Sequence, residues 1–430
     1  MGTAASVQNT TLMTDSSRQN FYLPFSFMIT GFLSLLIFSI LLLFAGGLFH
    51  TSGVRQVSTI AAVHLFVLGW ATMFVMGAVY QLVPVVTQNE LFSTRLGMVH
   101  YFLYTAGSIG LLIGFFEFNT VTLIISGALV IIGTLLFISN ILLTIFKTRA
   151  WNPILFAMYS ALFYLLLTII FGFLMVINFQ YPLFGDIHSS LLASHIWFGF
   201  IGWFLFLIIG YSFKMLPMFY LSHGYPERLQ KWILVLLHVS LLTITSSFFM
   251  PVSFSLTWVG LFLLLVILVV YRLHIKQIIS KKFKKNPGKG IALTVRIIDW
   301  FIIISAGILV VLTIDTHLFS NLTFLTVISV LYLLGWVNIT ILGYTSKIIP
   351  FLWWTFAFGK RVGKENVPSL HQLIDETKVQ RRLVLMAIAV IVLAIGIALQ
   401  LTTIIMIGQI SLALVTIYFL IHLLAVFTYS

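Results

Sequence analysis

The stretch Val63-His64-Leu65-Phe66-Val67-Leu68-Gly69-Trp70, continuing through Gly77 and Tyr80 to Pro84, decides how this chain is read. Its pattern returns as Gly202-Trp203, Gly210 and Pro217, and again as Gly335-Trp336, Gly343 and Pro350. The spacing is GWxxxxxxGxxxxxxP each time, and successive copies start 133 residues apart. Four fixed residues recurring twice at one interval mark an internal repeat. The second and third copies share more, Gly210-Tyr211-Ser212-Phe213-Lys214 standing against Gly343-Tyr344-Thr345-Ser346-Lys347. Within an apolar span, glycine lets a neighbouring backbone approach closely. The proline is expected where the span leaves the membrane, since no helical N–H is needed there, and Lys214 and Lys347 are expected to snorkel to the head groups. The motif therefore specifies packing and names no activity.

Composition supplies the solvent. Of the 430 residues 60% are hydrophobic and only 8% charged, with a mean hydropathy of +1.12. A soluble domain carries about 25% charged residues, so this chain has too little polar surface to cover a water-soluble globule. Apolar runs long enough to cross a bilayer fall at roughly 23–46, 58–83, 97–116, 121–145, 154–177, 189–213, 232–250, 253–271, 297–314, 322–346, 383–399 and 402–427. The fold class is all-α: a polytopic membrane protein of about twelve transmembrane helices in three pseudo-threefold four-helix units. A polar tail, 1–22, precedes a single membrane domain, 23–427, whose units are 23–153, 154–296 and 297–427. The long first apolar run reads as a true span rather than a cleaved signal. There is no cysteine, which excludes disulfides, thiolate ligands and iron–sulfur clusters.

The net charge of +13 is a topology signal and not a nucleic-acid footprint. Of the 23 Lys and Arg, all but Arg18 and Arg55 fall in connections that follow even-numbered spans or at the helix ends beside them. The positive-inside rule makes those connections cytoplasmic and puts both termini inside, in a protein expected in a bacterial cytoplasmic membrane. The run Lys281-Lys282-Phe283-Lys284-Lys285 fits such a loop, with contact to anionic lipid heads as the sharper reading. Ser369-Leu370-His371-Gln372 has the form of a helix capping box and predicts a short interfacial helix, with Trp353 and Trp354 at the membrane edge.

Topology also sorts the eleven histidines. His100, His223, His238, His274, His371 and His422 fall toward the inner side; His50, His64, His188, His195 and His317 fall toward the outer side. His64 and His195 lie inside the outer third of the second and sixth spans, two of the three that carry the repeat. An intramembrane imidazole is costly unless paired or liganded, and neutral imidazole is the commonest metal ligand. A hydrogen-bonded histidine tying two helices is the plainer alternative. His188 precedes His195 by two helical turns and is a second metal-ligand candidate beside it, with a solvated loop residue as its plainer reading. Carboxylates are few. Asp186 with His188 and Asp315 with His317 flank two outer loops, where a cation site competes with ordinary solvation. Asp299 is expected to pair with Arg296 one turn earlier.

These residues resemble a known family. Twelve spans in three four-helix arcs, with both termini inside, are similar to the catalytic subunit of heme-copper oxidases and the related nitric oxide reductases. The segment from Val63 to Pro84 resembles that family's second helix, whose outer-side histidine ligates the low-spin heme; the match implies that role for His64. The span of His195 resembles the sixth helix, which gives a histidine to the copper site. The departures are as informative. The tenth span, Asn321 to Ser346, has none of the family's histidines, and the outer end of the seventh, Ser246 to Val252, has none either. The resemblance therefore implies neither the bis-histidine heme of the family nor a three-histidine copper centre.

The expected function is a divergent heme-copper oxidase subunit I-like membrane protein with an incomplete ligand set. It would bind heme, or copper or another transition metal, near the outer face through His64 and His195, in cofactor handling, sensing or an accessory respiratory role. A transporter of a metal ion, heme or small solute is the alternative, weakened by repeats that run parallel where many transporters use inverted ones. A reductase with unusual ligands is a third. The lipid bilayer is the one partner that the composition requires.

Overall fold

The computed structural model describes residues 3–46, 48–49, 56–148, 152–250 and 253–429; the side chains before Phe21, and His50, Arg55 and Arg149, lie outside the described set. Among the described residues there are twelve helices long and apolar enough to cross a membrane, and no strand. They are α1 (Thr3–Phe44), α2 (Val57–Thr87), α3 (Thr94–Glu117), α4 (Thr120–Ile145), α5 (Pro153–Gln180), α6 (Ile187–Tyr220), α7 (Arg228–Ser247), α8 (Ser253–Ser280), α9 (Lys289–Ile314), α10 (Leu322–Phe358), α11 (Glu376–Leu399) and α12 (Thr402–Leu424). The chain is an all-α integral membrane protein.

Polar residues at the helix starts explain several boundaries. Ser93, Asn119, Asn152 and Asn321 each accept a hydrogen bond from a backbone N–H three residues on, satisfying a donor that the first turn leaves free. Asp375 does the same for α11, taking the amides of Lys378 and Thr377. Those bonds hold its carboxyl below the usual carboxylate range. The expected helix at Ser369 is absent. The backbone N–H of Ser369 does donate to Gln372 Oε1 at 2.7 Å, but the box closes only a turn, and Trp354 Nε1 instead donates to the Pro368 carbonyl.

Helices α2, α6 and α10 form the interior. About two-thirds of their membrane windows is buried, against half or less in every other helix. They meet pairwise. Trp70 Nε1 of α2 donates to Asn338 Oδ1 of α10 at 2.9 Å, and the Tyr332 hydroxyl of α10 donates to the Phe200 carbonyl of α6 at 2.6 Å. The third pair, α2 with α6, meets at two histidine rings.

Each central helix also changes its winding at the repeat motif. The segments Leu65–Thr72, Phe198–Leu205 and Leu331–Val337 are π-helical, starting 133 residues apart with the Gly-Trp pair inside each. Such wide turns occur frequently at functional sites. Further along, a Cβ on Gly77 would come within 2.8 Å of the Pro24 carbonyl, one on Gly210 within 2.4 Å of Ala157 Cβ, and one on Gly343 within 2.4 Å of Thr294 Cγ2 and 3.2 Å of the Gly290 carbonyl. Positions 24, 157 and 290 are themselves 133 apart, so the first helix of each unit crosses the second at one repeated point. The prolines do not end the spans. Pro84, Pro217 and Pro350 lie inside helices that continue to Thr87, Tyr220 and Phe358.

Phe21 stacks on Phe356, and Phe427 meets both Phe25 and Trp353. The start of α1 and the ends of α10 and α12 thus share one face, hereafter the terminal face; the opposite one is the distal face. Asp299 pairs with Arg272 and not with Arg296. Packing of α8 on α9 brings the Arg272 fork onto both carboxylate oxygens, at 2.6 and 3.0 Å, a planar match that Arg296 on its own helix does not make.

Candidate metal centre

His64 ends the first α-helical stretch of α2, and the π segment starts at the next residue. Its Nδ1 lies 2.8 Å from the Ile60 carbonyl. His195 stands near the distal end of α6, with Nδ1 2.7 Å from the carbonyl of Thr168 on α5. A carbonyl can only accept, so each Nδ1 carries the proton and each neutral ring leaves its Nε2 lone pair unused. Anchoring one ring nitrogen on a carbonyl is the arrangement that orients histidines which bind metal through the other.

The two rings face each other across the α2–α6 contact. Their centroids are 6.4 Å apart and their planes differ by 24°. Phe115 of α3 packs against His64 with centroids 4.9 Å apart. Gly172 of α5 makes room for the other ring, since a Cβ there would approach His195 Cε1 to 2.9 Å and Nδ1 to 3.1 Å. Thr168 is four residues before Gly172, so its carbonyl points along the helix toward the spot that the missing side chain leaves open.

The structure thus brings together the two residues picked out in the sequence, by a route the repeat does not provide. Under the 133-residue interval His64 corresponds to Trp197 and then Val330, while His195 corresponds to Ala62. The histidines come from non-equivalent positions on equivalent helices. Thr168, Gly172 and Phe115 carry no sequence signal beyond lying in apolar spans.

His188 turns elsewhere. Asn178 Nδ2 donates to its Nδ1 at 2.9 Å and its ring lies against Phe179, with centroids 5.7 Å apart. In that arrangement the Nδ1 lone pair is occupied and the proton sits on Nε2. Asp315 Oδ1 accepts from the backbone N–H of His317, as a helix cap. Among the described residues no group of three or more His, Asp or Glu is placed to hold a metal. The terminal-side histidines within helices are tied to protein partners: His100 to Tyr80, His238 to Ser160 and Tyr164, His274 to Gln230, and His422 to Arg382.

No family model and no curated protein matches this chain.

Proposed function

We propose that this membrane protein holds a transition metal, as a bare ion or as heme iron, between Nε2 of His64 and Nε2 of His195. Its role on this reading is cofactor handling, sensing or accessory respiratory work as a divergent heme-copper oxidase-like protein, with the metal site on the side away from the cytoplasm. The observation that carries it is the facing pair of imidazoles, each fixed through Nδ1–H on a backbone carbonyl.

The separation bears on the geometry. A metal shared by two imidazoles would lie about 2.0 Å from each nitrogen, and the two rings stand 6.4 Å apart by centroid. Two neutral imidazoles would suit copper(I) or heme iron. Phe115 packs against the His64 ring and Gly172 against the His195 ring. When bound, the metal would supply redox or Lewis-acid chemistry. His64 and His195 would bind and orient it, the Ile60 and Thr168 carbonyls would fix their tautomers, and Phe115 would pack beside His64. Val330, the tenth-span counterpart of His64, offers no ligand.

The test is metal analysis and an absorption spectrum of protein purified from its native membranes. Copper or iron near one per chain, lost in His64→Ala and His195→Ala, supports the reading; a Soret band would assign the iron to heme. Protein that carries no transition metal and takes up none from copper(I) or heme contradicts it.

A further inference from the structure

The threefold repeat lets one site be compared with its own counterpart. Gln81, Lys214 and Lys347 occupy one repeat position, each three residues before its proline. In the third unit this position is closed by the protein itself. The Lys347 ammonium is bonded to the Glu376 carboxylate at the start of α11, and Glu376 Oε2 also accepts the backbone N–H of Lys289 at the start of α9. Gly288 leaves room for the lysine, since a Cβ there would meet Lys347 Cε at 2.2 Å. An ammonium–carboxylate pair thus fills the corner between the first, second and third helices of that unit.

The same corner of the first unit is open. A cavity of about 290 Å³ lies between Leu23 and Pro24 of α1, Gln81 and Pro84 of α2, and Glu90 and Thr94 at the approach to α3. Leu23 and Pro24 are the repeat counterparts of Lys289 and Gly290. Gln81 Oε1 is buried there with no hydrogen-bond partner, which is costly to leave unmet. Among the described residues Glu90 makes no ion pair, and no Lys, Arg or His lines the cavity. An unmet amide oxygen and a carboxylate that makes no ion pair among the described residues form an acceptor site for a cation that also donates hydrogen bonds. The volume is at the small end for ligand pockets.

We propose that this terminal-face cavity binds a small primary ammonium group, Gln81 Oε1 accepting from its N–H bonds and Glu90 balancing its charge, in the place that Lys347 fills in the third unit. The group could be supplied by a free amine or by an aminophospholipid head. The site is on the opposite face from the histidine pair and stands independently of it.

The test uses purified full-length protein. Ethanolamine binding is measured in micelles by isothermal titration, with ethylene glycol as the uncharged control. Retention of phosphatidylethanolamine over phosphatidylglycerol is measured in nanodiscs by native mass spectrometry. Gln81→Lys, which supplies the chain's own ammonium, is expected to abolish binding. Glu90→Gln, a change at an exposed residue, is expected to weaken it at least tenfold, and ethylene glycol to bind at least tenfold more weakly than ethanolamine. Ethanolamine binding identifies the free amine as a sufficient ligand; retention of the phospholipid alone identifies the lipid head as the source. Failure of both, or unchanged binding in a folded Gln81→Lys protein and in Glu90→Gln, overturns the proposal.

Discussion

Gly172 and His195 are in contact across α5 and α6: the imidazole occupies the space a side chain at position 172 would take, with Cε1 only 2.9 Å from where a Cβ would stand. That contact lets Nδ1 reach the Thr168 carbonyl at 2.7 Å. Gly172→Ala is therefore expected to push the ring off its anchor while leaving both histidines in place. Outer-shell partners of a ligand affect metal affinity by about 10–100-fold. The expected outcome is a loss of metal affinity of at least about tenfold, measured by competition with a chelator, with helix content unchanged by circular dichroism. Wild-type affinity in this variant would show that the Thr168 anchor is unimportant.

Asn338→Leu removes the partner of the Trp70 indole, which joins the first and third units from fully buried positions. A stranded buried donor costs about 1–3 kcal/mol, and unfolding in mixed micelles should register a loss of that size. Trp203, the same repeat position in the second unit, already has a buried Nε1 without a partner. Trp203→Phe should accordingly cost less through hydrogen bonding than Trp70→Phe. Equal losses for the two would contradict the assignment.

The repeat glycines are not equivalent in what they permit. An alanine Cβ at position 343 would meet Thr294 Cγ2 at 2.4 Å, whereas at position 335 its nearest neighbour is Val390 Cγ1 at 3.5 Å, an ordinary contact. Gly343→Ala is expected to destabilise the bundle by about 1–3 kcal/mol, the usual cost of overpacking. Gly335→Ala should change stability far less, and thermal unfolding of the two variants side by side makes the comparison.

Asp375 supplies the pH-dependent prediction. Its carboxylate caps α11 and its pKa is lowered by the Lys378 and Thr377 amides, so the cap's contribution is present above the ordinary carboxylate pKa and is lost as pH falls through the depressed one. Asp375→Asn keeps the acceptor and removes the titration. Amide exchange at Thr377 and Lys378 should rise on acidification in the wild type relative to the Asn variant at the same pH. Parallel behaviour of the two proteins would show that the carboxylate does not govern this helix start.

Twelve spans were legible because each is an apolar run bounded by polar residues, and the rules of the bilayer apply to every one of them. The Gly-Trp interval located the three central helices, but not their winding. The π segment Leu65–Thr72 contains Trp70, whose indole bonds to Asn338, 268 residues away in sequence. His64 and His195 stood out because they lie in the outer third of two repeat-bearing spans, where an imidazole is costly unless paired or liganded. Their actual meeting rested on Gly172 and Thr168, which no local pattern distinguishes. Arg296 looked like the partner of Asp299 by helical spacing alone, and the neighbouring helix supplied Arg272 instead.

X-ray absorption at the edge of the bound metal reads the histidine pair itself. Two imidazole nitrogens at about 2.0 Å are expected in the wild-type protein, for heme iron in addition to the four porphyrin nitrogens. One imidazole or none is expected in His64→Ala and in His195→Ala. A metal whose imidazole shell is unchanged by both substitutions, or a protein that binds no metal with both histidines intact, would contradict it.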